Sequence, residues 1–184
     1  MRYKLLTILL IFFTICTLNA QDNLYFTDKG TIDFTSDAPL EVIKAASGKL
    51  AGILKLDDRT FSFSIPMSSF EGFNSALQRT HFNENYLETE KYPKATFNGK
   101  IIEEVDFSQE GDIRVRAKGK MMIHGVEQDR IIRCTLTISK NEISISSGFT
   151  VLLEDHDITI PSIVQQKIAE EVEVEMAATI TPMK

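Results

Sequence analysis

The chain has 184 residues, with 26 acidic and 20 basic side chains and a formal net charge of −6. This length is that of one ordinary domain. The acidic balance argues against nucleic acid and anionic lipid surfaces as partners, because both are bound through clustered positive charge.

The first twenty residues have the three parts of a secretory signal peptide. Arg2 and Lys4 precede an apolar run over residues 5–18, and the small residue Ala20 stands before the polar Gln21. This run is shorter than the roughly 20 residues that a membrane-spanning helix needs. We therefore predict residues 1–20 as a cleaved signal peptide, residues 21–184 as one domain, and a periplasmic or secreted location.

Alternation of apolar and polar residues, which is typical of half-buried strands, recurs along the rest of the chain. The alternating segments predict about eight strands. In chain order they cover residues 30–36, 49–58, 59–66, 95–107, 112–123, 130–139, 142–155 and 172–180.

Helical patterns are few and short. We predict helical segments at 39–47, around His81, and for one or two turns at 161–170. Ser75 and Gln78 have the spacing of a capping box, in which each side chain satisfies a backbone donor at the helix start. The helix after Ser75 must end before Pro93, because proline disfavours helical geometry in the residue before it.

Cys134 is the one cysteine of the predicted mature chain, so no internal disulfide is expected. Ile132, Cys134 and Leu136 fall on one face of a strand. This pattern predicts a buried, unreactive thiol.

Antiparallel strands with one apolar face each bury that face by stacking as two sheets or by closing into a barrel. An eight-stranded barrel is either filled by side chains or holds one small ligand. Small residues such as Ala117 and Gly119 interrupt the inward rows and favour a cavity, but a glycine in a strand also marks bulges and bends. The pattern thus leaves a cavity and a filled core open.

The inward positions of these rows define the residues that would line a pore, and charged outward positions argue against stable insertion of the barrel in a membrane. The predicted pore-lining residues are Phe34, Leu54, Phe61, Phe63, Phe97, Val115, Ala117, Gly119, Met121, Ile132, Leu136, Phe149, Val151, Val174 and Met176.

Five blocks of the sequence resemble the YceI-like family, and the similarity runs from about residue 30 to about residue 180. The blocks, in chain order, are GTIDFTSDAPLEVIKA (30–45), FSFSIPMSSFEG (61–72), HFNENYLETEKYPKATFNGKI (81–101), HGV (124–126) and LLEDHDITIP (152–161).

This resemblance implies an all-β, eight-stranded antiparallel lipocalin-like barrel with one or two short helices in its connections. It also implies an exported protein whose apolar pore holds an isoprenoid or other amphiphilic lipid, such as an isoprenoid quinone or a polyprenyl compound. By the same resemblance, residues 81–90 form a connector over the barrel. The predicted lid or rim residues, in this connector and in two other connections, are His81, Phe82, Tyr86, Tyr92 and His156. The oligomeric state stays open, and a dimer is compatible with the sequence.

Two other classes of function were weighed. His81 and Glu84 would share a helix face, and three histidines meeting at one rim could hold zinc, but no His-Glu-x-x-His or Gly-x-Ser-x-Gly motif occurs. A filled core would instead suit a structural or adhesive module. We predict a binding protein with no catalytic residues, no metal and no cofactor other than the bound lipid, and a solvated face at Glu84, Glu88 and Glu90.

Overall fold

The computed structural model describes residues 23–183, so the predicted signal peptide lies outside the described residues. Eight antiparallel strands close into a barrel in chain order, and the last strand pairs with the first. This confirms the predicted fold class. The strands are β1 (Leu24–Ala38), β2 (Glu41–Lys55), β3 (Thr60–Pro66), β4 (Lys94–Ile101), β5 (Gly111–Ile123), β6 (Val126–Ser139), β7 (Glu142–Leu152) and β8 (Glu171–Pro182).

One short helix, α1 (Ala76–His81), continues directly into a π turn at Phe82–Tyr86. Ser75 caps α1 as predicted, with its Oγ accepting from the Gln78 backbone N–H at 3.2 Å. The Gln78 side chain accepts from the N–H of Asn74 at 3.0 Å, one residue earlier than in a standard capping box. Single turns of 3₁₀ helix lie at Met67–Ser69, Glu154–His156 and Ser162–Val164.

The predicted helix at 39–47 is wrong, because these residues form the turn after β1 and the start of β2. Val42 and Ala45 pair with Asp37 and Phe34 of β1. Ala45 is buried while Val42 is exposed, as expected for a strand with one face inward. Pairing along a long hairpin with β1 outweighs the helix propensity of the glutamate, lysine and alanines in this stretch.

The first half of β2 is bordered by a segment that crosses the barrel end, residues 67–92, which we call the lid segment. β2 pairs with β3 only from Ala51 to Lys55. Before that, the backbones of Ala46 and Glu71 exchange two hydrogen bonds of 2.8 and 2.9 Å. The side chain of Asn74 also donates to the carbonyl oxygen of Val42 at 2.9 Å. These bonds fix the lid segment to the barrel edge.

The opposite end of the barrel is closed by a floor of fully buried aliphatic side chains. Leu54, Leu136, Ile143 and Ile180 have relative exposures of 2% or less and belong to one apolar cluster. A second buried cluster joins the strands to the lid segment through Met67, Phe70 and Leu87. The interior thus has a floor at one end and a lid at the other.

Two glycines face each other where β4 and β5 approach closely, and we expect them to tolerate no side chain. Gly99 pairs with Gly119, and a Cβ on Gly119 would lie 2.2 Å from the carbonyl oxygen of Asn98. Gly119→Ala should therefore lower the free energy of unfolding by about 1–3 kcal/mol, as overpacking does. Gly148→Ala is the matched control, since a Cβ there meets nothing within 4 Å. Urea unfolding measures both, and equal stability of the two variants would contradict the prediction.

Candidate functional site

The barrel encloses an apolar cavity of about 470 Å³ between the floor and the lid segment. This volume lies within the range of small-molecule sites in proteins. Most of the predicted pore-lining residues lie on its wall. They are Phe34, Leu54, Phe61, Phe63, Phe97, Val115, Ala117, Met121, Ile132, Leu136, Phe149, Val151, Val174 and Met176. That these residues contact a ligand stays a prediction.

Gly119 does not line the cavity, which corrects its place in the predicted pore. It is on the inward row of β5, but the backbone of Asn98 and Gly99 covers the position that a Cβ would take. Glycine is needed here for close approach of two strands, and it leaves no extra width in the pore.

The wall also contains residues that the sequence analysis did not select. Several extend the same alternating rows and could have been found from them: Ile32, Leu50, Ile65, Ile123, Ile145 and Val172. Others come from connections, where no periodicity indicates which side chains turn inward: Met67, Phe70, Phe73, Leu87, Leu153, Ile158, Val164 and Ile168.

The lid segment covers the cavity with aromatic side chains. The ring of Phe82 stacks on Phe34 of β1 with centroids 5.6 Å apart, and it also contacts Phe70 at 5.8 Å and Phe73 at 5.1 Å. His81, Phe82 and Tyr86 all line the cavity, as expected for a lid. Burial raises the pKa of the Tyr86 hydroxyl, so the hydroxyl remains a neutral donor.

Two residues of the predicted rim, Tyr92 and His156, do not line the cavity. The ring of Tyr92 packs edge-on against His124, with centroids 4.6 Å apart, in the β5–β6 turn. His156 is fully buried, and its Nδ1 lies 3.1 Å from the carbonyl oxygen of Val126. Tyr92 and His156 are in connections between strands, where a sequence pattern does not define the direction of a side chain.

His124 joins the lid segment to two other parts of the barrel. Its Nε2 lies 2.8 Å from Glu88 Oε2, and its Nδ1 lies 3.1 Å from the carbonyl oxygen of His156. The sequence pattern predicts a solvated face at Glu84, Glu88 and Glu90, but Glu88, whose side chain is 43% exposed, is also paired with His124. The contact ties the end of the lid segment to the β5–β6 turn.

His156 should make the protein less stable in mild acid. Burial lowers its pKa below the ordinary 6.5, although the backbone carbonyl groups of Val126 and Ile123 act in the opposite direction, and its Nε2 makes no hydrogen bond. As pH falls through about 6.5, the unfolded chain takes up a proton that the folded chain does not. The free energy of unfolding should then fall by up to about 1.4 kcal/mol per pH unit from this residue. The nearby charges of Asp155 and Arg130 act on this pKa in opposite directions.

The measurement compares stability at about pH 7 and about pH 5, a window in which few groups other than histidine titrate. His156→Asn keeps an N–H donor for the Val126 carbonyl but cannot titrate, so its stability should depend less on pH. His81→Asn, which removes a histidine of the lid segment instead, is the control. An unchanged pH dependence in His156→Asn would show that His156 is not the cause.

Acidic, basic and amide side chains lie together at one end of the cavity wall. Glu41, Gln78, His81 and Lys167 all line the cavity, and they come from β2, α1 and the connection before β8. Gln78 Nε2 donates to Glu41 Oε1 at 2.6 Å. We call this end, between β2, α1 and residues 160–169, the mouth. A ligand in the cavity would meet polar groups here and apolar groups toward the floor.

Cys134 also lies on the cavity wall and is half-buried. Burial raises the pKa of its thiol, so the reactive thiolate is disfavoured. The raised pKa agrees with the predicted unreactive thiol. The thiol lies on the cavity wall, however, and not in a packed core.

The arrangement of possible metal ligands and the length of the helices bear on two other kinds of function. Within residues 23–183, no group of three or more His, Cys, Asp or Glu side chains has the arrangement to hold a metal ion. His124 and His156 are neighbours, but His81 is on the lid, so the three histidines do not form one site. None of the helices in this part of the chain is long and apolar enough to span a bilayer.

Several solved structures share the fold of this chain. A polyisoprenoid binding domain from Saccharophagus degradans, described as implicated in plant cell wall breakdown, is 15% identical with a TM-score of 0.74 and covers 88% of this chain and 99% of its own. Burkholderia cenocepacia BcnA is 15% identical with a TM-score of 0.69 and covers 83% and 96%. The Campylobacter jejuni YceI protein is 14% identical with a TM-score of 0.57 and covers 86% of each. At these identities the likeness is one of fold.

A closed antiparallel barrel of eight strands, with an apolar interior under a short helical lid, defines a lipocalin-like barrel protein. The sequence-family model described as the YceI-like domain matches residues 23–180 of the chain. The chain therefore belongs to the YceI-like family. The comparison with curated proteins gave no match.

Proposed function

We propose that this protein is an exported binding protein that holds an isoprenoid or other amphiphilic lipid in the barrel cavity. It carries, stores or protects that lipid and catalyses no reaction. An isoprenoid quinone or a polyprenyl compound would be such a lipid. The observation that carries the proposal is the apolar cavity of about 470 Å³, closed at the floor and bordered by polar side chains at the mouth.

The cavity supports one orientation of the ligand. An apolar tail would replace water against aromatic and aliphatic side chains, which stabilises the complex by roughly 25 cal/mol for each Å² of apolar surface buried. A polar head group would lie at the mouth, near Glu41, Gln78 and Lys167. The relative from Saccharophagus degradans, which is named as a polyisoprenoid binding domain, supports the choice of an isoprenoid tail.

The alternative of a structural or adhesive module is less well supported. Such a module needs no interior space, and buried protein interiors pack with few voids larger than a water molecule. The cavity here is much larger than that, and its wall includes side chains from all eight strands.

The test is chemical identification of the ligand. The protein is purified from its own host without detergent, extracted with organic solvent and analysed by mass spectrometry, beside an unrelated exported protein prepared in parallel. We expect one lipid class with a long apolar tail, in near-stoichiometric amount and lacking in the control. Folded protein that yields no such lipid would contradict the proposal.

The proposal of export has its own test. Intact-mass analysis of the protein collected from the periplasm or medium should give a chain that begins at or near Gln21. Cys16, in the predicted signal peptide, could instead carry a lipid anchor, and no lipid adduct on it is expected. Retention of residues 1–20, or protein found only in the cytoplasm, would contradict it.

A further inference from the structure

Three large aliphatic side chains are exposed near the mouth, and each comes from a different segment. Leu40, in the turn between β1 and β2, has a relative exposure of 66%. Leu77, in the first turn of α1, has 63%, and Ile163, in the 3₁₀ turn before β8, has 90%. We call these three residues the apolar rim.

The three segments of the apolar rim surround one opening. Each rim residue is followed in the sequence by a residue that lines the cavity. These residues are Glu41 after Leu40, Gln78 after Leu77 and Val164 after Ile163. The segments are also bonded to one another. The Leu40 N–H donates to the carbonyl oxygen of Gln166 at 2.8 Å, and Gln78 Nε2 donates to Glu41 at 2.6 Å. The rim is therefore an apolar border around the cavity entrance.

Ile131 is an exposed aliphatic residue without this arrangement. Ile131 on the outer wall of β6 has a relative exposure of 58%, but it lies directly opposite Lys118 of β5. Single exposed aliphatic residues are normal on protein surfaces. Three of them around the entrance of an apolar cavity indicate an interaction surface.

We propose that the apolar rim inserts into the surface of a lipid bilayer, so that the lipid ligand passes between the membrane and the cavity without crossing water. This inference rests on the proposed lipid-binding function. A ligand with a long apolar tail is stored in membranes, and a rim placed at the acyl boundary gives its tail a continuous apolar path to the cavity.

Charge and area distinguish a bilayer from other partners. The chain carries a net charge of −6, so attraction to anionic head groups does not drive the contact, and a zwitterionic bilayer suits it best. A second copy of the chain fits poorly, because three side chains fall well short of the roughly 800 Å² per partner of a standard protein interface.

The first experiment uses tryptophan as a reporter of insertion. The chain has no tryptophan, so Ile163→Trp places one fluorophore on the rim and Ile131→Trp places one on the outer wall. On addition of phosphatidylcholine vesicles, the emission of Ile163→Trp should shift to shorter wavelength, while that of Ile131→Trp should not. No shift at the rim, or equal shifts at both positions, would overturn the proposal. If the emission of Ile163→Trp shifts without vesicles, in a way that depends on protein concentration, the rim contacts a second copy of the chain. That result would also overturn the proposal.

The second experiment separates docking from ligand binding. The triple variant Leu40→Ser, Leu77→Ser, Ile163→Ser is compared with wild type and Ile131→Ser, with melting temperature as the check of folding. The probe is a fluorescent farnesol derivative, offered either from vesicles or from dilute ethanol. The triple variant should take up the probe from vesicles about tenfold more slowly, a difference of about 1.4 kcal/mol, with unchanged affinity for probe from ethanol.

The two failures can be told apart. If wild type does not bind the probe from ethanol, the proposed lipid-binding function fails for this class of ligand. If wild type binds it, but the triple variant takes it up from vesicles at the wild-type rate, lipid binding stands and the docking proposal fails.

Discussion

Ala117→Phe is expected to expel the bound lipid while the barrel stays folded. Ala117 is buried on the cavity wall, between Ile101 of β4 and Ile132 of β6 in the register of the sheet. A phenyl ring at this position points into the cavity and takes volume that the ligand would use. In a filled core the same change would overpack the interior and cost about 1–3 kcal/mol. Here the ring has space when the lipid is absent.

The measurement is paired. Lipid content is determined after extraction, and thermal stability is determined on wild type and variant after both are delipidated. The matched control is Lys118→Phe, which puts the same ring on the exposed outer face of β5 and should leave the lipid content unchanged. Marked destabilisation of Ala117→Phe, with no lipid in either protein, would favour the filled barrel and contradict the carrier.

Ile180→Ala should have the opposite pair of effects: a large loss of stability and no loss of lipid. Ile180 is completely buried in the floor, and it does not line the cavity. Truncation of a buried isoleucine to alanine costs about 2–5 kcal/mol. For a domain of this size, this lowers the melting temperature by roughly 5–20 °C.

Thr181→Ala, the exposed neighbour on β8, is the control for Ile180→Ala and should change stability by less than about 0.5 kcal/mol. Both variants should retain the wild-type amount of lipid, measured below their melting temperatures. If Ile180→Ala were as stable as Thr181→Ala, the floor would not be the closely packed cluster described above. Together with Ala117→Phe, this pair separates residues that hold the fold from residues that leave room for a ligand.

The barrel was predictable because the alternation of apolar and polar residues within each strand indicates which face of the strand is buried. Ile132, Leu136 and their equivalents alternate with polar residues, and a half-buried strand requires this period. The helix prediction for residues 39–47 was wrong because these residues favour a helix locally. Pairing with β1 makes most of the segment a strand, and local propensity does not describe such pairing.

The site was predictable to the same extent as the strands. The cavity wall follows the inward rows, so most of the predicted pore-lining residues lie on it, but other wall residues, such as Phe70 and Phe73 of the lid segment, come from a connection without periodicity. Gly119 shows a different limit. It was correctly assigned to the inward row of β5. Only the position of β4 shows that this residue must be glycine so that the two strands can approach closely. The burial of His156 and the contact of Glu88 with His124 are likewise tertiary features.

The most direct test of the central claim is a crystal structure of the protein purified from its own host without any step that removes lipid. For a lipid carrier we expect continuous elongated electron density in the cavity, with its apolar part along Phe97 and Leu136 and its polar end at the mouth near Glu41 and Lys167. Fully folded protein whose interior holds only ordered water, or whose side chains have closed the space between floor and lid, would contradict it.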